Sequence, residues 1–205
     1  MRIKQLTALA LLPLALSAGS AAAAPVELFN GKDFTGWTQR GGKATYAIEG
    51  NEIVGTSVTN TPNTFLCTDK TYGDFILEYE FKVDPRLNSG VQIRSLAYDQ
   101  ATEFVGDGKP IKIPAKRVHG YQIEIDPDVK RKRMWSGGVY DESRRGWLFP
   151  RGGEQSAEAK KFSEQGQRIF KPNDWNQIRV EARGDSIKTW LNGTPCADLK
   201  DSVKA

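Results

Sequence analysis

The sequence contains little of the residue types on which several classes of enzyme depend. Among 205 residues there is one histidine, His119, and there are two cysteines. A transition-metal site built from three histidines of one chain is therefore excluded. The sequence also has no Gly-x-Ser-x-Gly elbow, no phosphate-binding loop and no dinucleotide-binding fingerprint. Serine hydrolases of the elbow type and nucleotide-dependent enzymes are poorly supported.

Long apolar runs are also scarce. The longest run extends from Leu6 to Leu16, follows Arg2 and Lys4, and precedes the small residues Ala21 to Ala24. This run is too short to span a bilayer, but its order of basic, apolar and small residues is typical of a secretory signal peptide. We therefore expect residues 1–24 to be a signal peptide, and the mature chain to be exported to the periplasm or beyond without an integral membrane segment.

The balance of charge does not indicate a polyanionic partner. The chain carries 29 Lys and Arg against 25 Asp and Glu, a net charge of +4. The densest basic run, Lys130 to Arg133, follows Pro127 and is interpreted as a solvated loop, with a phosphate contact as the alternative. We expect no nucleic-acid partner. The two cysteines, Cys67 and Cys196, form either one disulfide, which export allows, or two small buried side chains.

Short strand patterns dominate what the sequence does contain. Apolar and polar residues alternate from Phe75 to Val83, and Thr45 to Val54 is predicted to form two strands folded at a turn. Further alternation at Gln177–Ala182 and Ile187–Leu191 predicts another hairpin, and one short helix is predicted near Ser156 to Ser163. Many short strands with close turns predict an all-β antiparallel sandwich or jelly roll.

The length of the chain after the signal fits one domain, residues 25–205. Two connections, Ser95 to His119 and Asp141 to Phe170, are too long for hairpin loops and are candidates for the walls of a site. A return strand is expected to pair with Ile187–Leu191, yet the chain ends soon after the turn at Asn192-Gly193. We therefore expect a sandwich that lacks its last strands at the C-terminus, as a piece of a longer chain would.

The segment from Gly120 to Asp126 presents a line of polar side chains. Gln122, Glu124 and Asp126 occupy alternate positions and share one face of a predicted strand, with apolar residues on the opposite face. Paired carboxylates at this spacing suit glycoside cleavage, although the spacing does not choose between retention and inversion. A solvated strand face is the alternative interpretation.

Motifs across the chain resemble one family of carbohydrate-active domains. They are Leu28-Phe29-Asn30-Gly31 with Gly36-Trp37, Tyr72-Gly73-Asp74-Phe75, Asn88-Ser89-Gly90-Val91-Gln92-Ile93-Arg94, Gly120-Tyr121-Gln122-Ile123-Glu124, Ser136-Gly137-Gly138-Val139-Tyr140-Asp141, Arg144-Arg145-Gly146-Trp147, Trp175-Asn176 and Trp190-Leu191-Asn192-Gly193. Together they make residues 26–205 similar to the 3-keto-disaccharide hydrolase domain family. The resemblance implies a concanavalin/laminarinase-like jelly roll whose concave sheet binds sugar, with Glu124 and Asp126 placed like the carboxylates of the glucanases.

The resemblance also implies a chemistry, because a ketone at C3 of a sugar acidifies the hydrogen on C2. Cleavage by elimination then needs a base, a group that stabilises the enolate oxygen and an acid for the leaving group. We predict Glu124 as base or acid, Asp126 as the second carboxylate and Arg94 as the electrophilic partner. An ion pair between Arg94 and a carboxylate is the alternative. His119 would join this face only through a bulge.

The same reasoning predicts the residues that bind substrate. They are Gln92, Gln122, Tyr140, Asp141, Arg144 and Trp147. No cofactor is predicted with certainty, but the oxygen donors of Glu124, Asp126 and Gln122 are of the type that calcium prefers, so a divalent cation stays open. The leading hypothesis is an exported hydrolase that acts on 3-keto-glycosides or 3-keto-disaccharides. The alternatives are a non-catalytic carbohydrate-binding module and a structural or partner-binding domain.

Overall fold

The computed structural model describes residues 1–10, 24–128 and 133–203. Within these ranges the chain forms one helix, α1 (Ala157–Ile169), and otherwise short strands. The strands are β1 (Arg2–Ala10), β2 (Val26–Glu27), β3 (Trp37–Gly41), β4 (Thr45–Glu49), β5 (Glu52–Thr56), β6 (Thr64–Thr68), β7 (Phe75–Lys82), β8 (Ser89–Leu96), β9 (Thr102–Gly106), β10 (Lys109–Ile113), β11 (His119–Ile125), β12 (Pro127–Asp128), β13 (Arg133–Met134), β14 (Val139–Glu142), β15 (Gly146–Phe149), β16 (Asn176–Arg183), β17 (Ser186–Leu191) and β18 (Thr194–Lys200).

Two antiparallel sheets form the body of the fold. Sheet A has the strand order β18-β17-β16-β7-β1-β5-β4, with β2 beside β1, and sheet B has the order β15-β14-β11-β8. Three two-stranded ribbons, β3 with β6, β9 with β10 and β12 with β13, complete the strand pairing. The architecture confirms the predicted all-β jelly-roll sandwich.

The core lies between the two sheets and is built from alternate residues of their strands. In β7 every second residue is buried and the intervening ones are partly exposed. The buried residues of this strand are Phe75, Leu77, Tyr79 and Phe81. They pack in one cluster with the apolar residues of β11, Tyr121, Ile123 and Ile125. Because successive side chains of a strand point to opposite faces, this packing turns Gln122 and Glu124 away from the core.

Both long connections contain regular structure. The first holds the hairpin of β9 and β10, and the second holds β15 and α1. The Oγ of Ser156 accepts a hydrogen bond from the N–H of Ala159 and caps the helix, which then continues six residues beyond the predicted end at Ser163. The buried residues Ala159 and Phe162 attach the helix to Trp135. The helix therefore lies against the segment that joins β13 to β14.

The N-terminal residues that are typical of a secretory signal form a strand. β1 lies between β7 and β5 and pairs Ile3 with Phe81 and Ala8 with Leu77. Residues 11–23, which carry most of the predicted signal, lie outside the described residues. Within the described part of the chain, no helix is long and apolar enough to cross a membrane. Export stays a prediction.

The expectation that β17 lacks its return strand is wrong. β18 pairs with β17 and places Leu199 opposite Ile187 and Thr194 opposite Leu191. The sequence conceals this strand because Pro195 stands near its start, and proline removes a backbone donor. The proline is tolerated here because β18 is an edge strand. Cys67 and Cys196 are free thiols, so no disulfide joins them.

Candidate active site

A row of side chains crosses the face of sheet B that is turned away from the core. Gln92 of β8 lies opposite Gln122 of β11, Gln122 lies opposite Tyr140 of β14, and Tyr140 lies opposite Trp147 of β15. Residues directly opposite each other in antiparallel strands share a face, so these side chains are neighbours. Glu124 joins them because it lies two residues along β11 from Gln122. The structure thus brings five predicted site residues together.

Glu124 is the central carboxylate of this face and is only 3% exposed. Its Oε1 accepts a hydrogen bond of 2.7 Å from Nε2 of Gln122, and its Oε2 accepts one of 3.2 Å from Nδ2 of Asn88. Burial raises the pKa of Glu124 to about 8, with a further contribution from the charge of Asp126, while the bond from Gln122 opposes the rise. A carboxyl group of this kind can take up and release a proton near neutral pH.

Asp126 is buried beside Glu124 and forms an ion pair with an arginine side chain. Its Oδ2 lies 2.7 Å from a guanidinium nitrogen of Arg133, and its backbone N–H donates to Oγ of Ser136 over 3.0 Å. Burial raises the pKa of Asp126, and the positive charge of Arg133 opposes that rise. Asp126 therefore shares the face with Glu124 as predicted, but it is held in an ion pair.

Gln92 presents a hydrogen-bond donor that has no partner. Its Oε1 accepts a hydrogen bond of 2.7 Å from Oγ of Ser95, which fixes the orientation of the amide. Its Nε2 is buried and has no partner among the described residues. A buried donor without a partner costs free energy, so such a group is a candidate for binding a ligand oxygen. The neighbouring Gly90 leaves room for this row, because a Cβ at Gly90 would lie 2.6 Å from Cγ of Gln122.

A cavity of about 860 Å³ adjoins the row. Its walls include Asn88, Gln92 and Gln122, so both amide partners of Glu124 line it. Residues from both faces of β8 line the cavity, including Val91 and Ile93 from the core side. The cavity therefore passes around the edge of β8, with a polar part lined by Asn88, Gln92 and Gln122 and an apolar part between the sheets; Glu124 itself does not line it.

The prediction that Arg94 shares the face of Glu124 is wrong. The guanidinium of Arg94 forms an ion pair of 3.0 Å with Asp74 and donates a hydrogen bond of 2.6 Å to the carbonyl of Gly184. The register between β8 and β11 shifts next to Arg94, and the φ of Arg94 is 47°. This irregularity breaks the alternation of side chains and turns Arg94 toward the turn between β16 and β17.

His119 lies next to the same register shift, where a bulge was expected. The residue is buried, its Nδ1 is 3.0 Å from the carbonyl oxygen of Arg117, and its ring is 5.6 Å from that of Tyr98. In the described ranges no hydrogen bond joins His119 to Glu124 or Asp126. Its catalytic role stays a prediction without structural support.

Asp141 and Arg144 belong to a buried charge network rather than to the face of Glu124. Asp141 is fully buried and forms ion pairs of 2.6 Å with both Arg144 and Arg145. Arg145 also pairs with Asp201, which accepts a hydrogen bond of 2.9 Å from the hydroxyl of Tyr121. Tyr121 points into the core, on the opposite side of sheet B from Glu124. The predicted substrate contacts of Asp141 and Arg144 are therefore not supported.

An aromatic wall borders the row on the side of α1. The rings of Tyr140 and Trp147 meet edge to face with centroids 5.4 Å apart, and Trp147 packs similarly on Trp135 at 4.5 Å. The guanidinium of Arg133 lies 4.7 Å from the ring of Trp135. Tyr140 and Trp147 are partly exposed, so part of each ring is accessible from solvent.

Three site residues were missed in the sequence. Asn88 donates to Glu124, Arg133 pairs with Asp126, and Glu142 is a further buried carboxylate that accepts hydrogen bonds from Arg117 and Asn63. Arg133 was not predicted because it belongs to the basic run from Lys130 to Arg133, which was interpreted as a solvated loop. Within this run, Lys130 to Lys132 lie outside the described residues. Glu142 had a usable signal, because it lies two positions from Tyr140 on the same strand.

The oxygen donors proposed for a divalent cation do not fit one. Both oxygens of Glu124 accept amide hydrogens, and Asp126 faces Arg133. Across the described residues there is no group of three or more His, Cys, Asp or Glu side chains that could hold a metal ion. A cation at this face would have to displace these donors.

Comparison with known proteins agrees with the motifs. A family model described as the 3-keto-α-glucoside-1,2-lyase-like domain matches residues 24–205. The chain belongs to this family. The family suspected from the sequence is thereby confirmed, and membership supports a glycoside-hydrolase-like role.

A crystal structure of a candidate glycosyl hydrolase from Parabacteroides distasonis ATCC 8503 matches with 20% sequence identity and a TM-score of 0.46, covering 85% of this chain and 71% of that chain. None of the curated proteins matches this chain.

Proposed function

We propose that this domain cleaves 3-keto-glycosides by elimination across C1 and C2, with Glu124 as the base. The observation that carries the proposal is the environment of Glu124: a buried carboxyl with a pKa of about 8, oriented by two amide donors that line a cavity large enough for a sugar. Family membership supports the substrate class, because the family is described by its 3-keto-α-glucoside chemistry.

The chemical steps balance without an added oxidant or reductant. The ionised carboxylate of Glu124 takes the proton from C2, and the electrons of the C–H bond form an enolate with the C3 ketone. Collapse of the enolate restores the ketone, forms the C1–C2 double bond and breaks the bond between C1 and the leaving oxygen. Water can then add across the double bond, which makes the net reaction a hydrolysis. Glu124 is ionised above its pKa of about 8, and both amide donors bind the oxygens of the ionised carboxylate, so the group serves as base where the pH is high enough to ionise it.

Gln92 takes the role for which Arg94 was predicted. Nε2 of Gln92 is the buried donor without a partner, in a wall of the cavity and on the row beside Glu124. Negative charge develops on the C3 oxygen during proton removal, and a fixed donor at that oxygen stabilises the transition state. The bond from Ser95 holds the amide in this orientation before substrate arrives.

Tyr140 is the acid for the leaving oxygen. Burial and the neighbouring carboxylates, Glu142 and Glu124 first among them, raise the pKa of Tyr140, so its phenol keeps its proton at neutral pH. It lies beside Gln122 on the row and is partly exposed. Trp147 packs against it and provides an apolar surface for the sugar ring.

Deuterium at C2 tests the elimination. The rate of glycoside cleavage is compared between a 3-keto-glucoside and the same compound deuterated at C2. Proton removal by Glu124 predicts a slower rate for the deuterated substrate and an enone intermediate that accumulates when water addition is slow. Equal rates for both substrates, with direct release of the free sugar, would point to displacement at C1 instead.

A further inference from the structure

β1 is an inner strand of sheet A that lies outside the family domain. The family match begins at residue 24, whereas β1 ends at Ala10. Without β1, sheet A would divide into β18-β17-β16-β7 on one side and β5-β4 on the other. The facing edges would then carry backbone N–H and C=O groups without partners, which are templates for pairing with another strand.

β1 fits this position imperfectly. Its register with β7 shifts between Lys4 and Thr7, and Gln5 within the bulge has a φ of 51°. Left-handed backbone is uncommon for a residue other than glycine. Its pairing with β5 extends over Arg2 and Ile3 alone. A strand that belonged to the domain would be expected to pair more fully with both neighbours.

The packing beneath β1 is also incomplete. Ile3, Leu6 and Ala8 line the apolar part of the cavity that passes around β8. Protein interiors are close-packed, so the side chains of β1 leave apolar space beside them unfilled. The position therefore accommodates larger apolar side chains than β1 supplies.

Acidic residues surround the N-terminal end of β1. Arg2 lies 2.6 Å from Glu49 and 3.0 Å from Glu52, and Lys4 lies 3.4 Å from Glu80. Ion pairs at the surface contribute little free energy, but they favour a strand of matching charge in one orientation. The position between β7 and β5 thus has an apolar inner face and acidic residues at the end where the N-terminus of β1 lies.

We propose that the position between β7 and β5 is a strand-accepting site and that residues 2–10 are an exchangeable occupant of it. The site takes an extended peptide with basic residues near its N-terminal end and apolar residues on its inner face, bound by strand addition. In the exported form predicted from the sequence, removal of residues 1–24 vacates the site, and a peptide of this chemistry fills it in trans. This inference does not depend on the proposed catalytic function.

Cleavage within the full chain tests the exchange. Residues 13–19 are replaced by the recognition site of a specific protease, and the folded protein is cut so that β1 is no longer covalently attached. A fluorescent peptide with the sequence of residues 1–10 is then added, and its binding is followed by anisotropy. Two peptide variants, Leu6→Asp and Gln5→Asp, introduce the same charge at a buried and at an exposed position.

The proposal predicts that the labelled peptide replaces β1 and that Leu6→Asp weakens its binding by about tenfold or more, because an unpaired charge is buried. Gln5→Asp should bind within about twofold of the parent peptide, since exposed substitutions have small effects. A cut protein that precipitates unless excess peptide is present would also support the site. Failure of the peptide to enter, equal binding of both variants, or precipitation whether or not peptide is present would overturn the proposal.

Discussion

Replacing Glu124 with Gln should stabilise the fold while it removes the proposed base. Glu124→Gln keeps the shape of the side chain and its carbonyl acceptor, so Gln122 retains a partner. Asn88 can turn its amide oxygen toward the new N–H₂ group. The substitution removes a carboxyl group whose burial lowers the free energy of unfolding when the group is ionised. Because ionisation depends on pH, the size of this effect also depends on pH.

The magnitude follows from the two states of the carboxyl group. Glu124 has the ordinary pKa of 4.5 in the unfolded chain and a pKa of about 8 in the folded one. Between these values the folded state binds a proton that the unfolded state has released, so the free energy of unfolding falls by about 1.4 kcal/mol for each pH unit. The stability that the protonated carboxyl contributes is fully present below pH 4.5 and is lost as the pH rises from 4.5 through 8. The loss reaches about 3 kcal/mol at pH 7.

Glutamine does not ionise, so Glu124→Gln should avoid this loss. After allowance for the altered hydrogen bonds, we expect the variant to be more stable by about 2 kcal/mol at pH 7, or about 4–8 °C in Tm for a domain of this size. Thermal and urea unfolding are measured from pH 5 to pH 9 by circular dichroism. Glu103→Gln, which removes the same charge from an exposed position on β9, is the matched control.

The pH dependence decides whether this reasoning is correct. The stability difference between Glu124→Gln and the parent chain should widen from pH 5 to pH 8 and then stay constant, while Glu103→Gln should show no such trend. A difference that is independent of pH, or a variant that is less stable throughout, would refute a buried carboxyl with a raised pKa.

Three further substitutions test the assignments around Glu124. Arg133→Met should lower the free energy of unfolding, measured in urea, by about 3 kcal/mol because it leaves the buried Asp126 without its cationic partner, and adding Asp126→Asn should restore part of the loss. An unchanged stability would contradict the ion pair. Asp141→Asn should cost about 3–5 kcal/mol yet leave KM unaltered, whereas a raised KM with unaltered stability would return Asp141 to the substrate site. Gln92→Leu should lower kcat about 10²- to 10³-fold with little change in KM, and an effect on KM alone would limit Gln92 to binding.

Regular alternation made the fold and the central strand predictable. The strands around Phe75 to Val83 and Gln177 to Ala182 were recognisable because each buries one face. The same rule placed Gln122 and Glu124 together, since residues two apart on a strand share a face. β18 escaped because proline near its start and a short apolar pattern weaken the strand signal.

The incorrect predictions at the site concern residues where the alternation of side chains along a strand is broken or was not taken into account. Arg94 has a left-handed backbone beside a register shift, which no local pattern indicates. Asp141 was grouped with Tyr140 because they are adjacent in the sequence, yet adjacent residues of a strand face opposite sides. Arg133 reaches Asp126 through the short ribbon of β12 and β13, whose pairing depends on tertiary contacts. The place of β1 in sheet A conflicts with its signal-like composition, so composition alone did not reveal it.

The central claim is that Glu124 acts on a sugar activated by a C3 ketone. The most direct test measures product release from a 3-keto-glucoside and from its unoxidised parent, with the full chain and with Glu124→Gln. Our account predicts turnover of the keto sugar alone, rising with pH toward a plateau above about 8, and abolished in the variant although the variant is folded and still binds. Binding without turnover by both proteins would contradict the account and leave a carbohydrate-binding module.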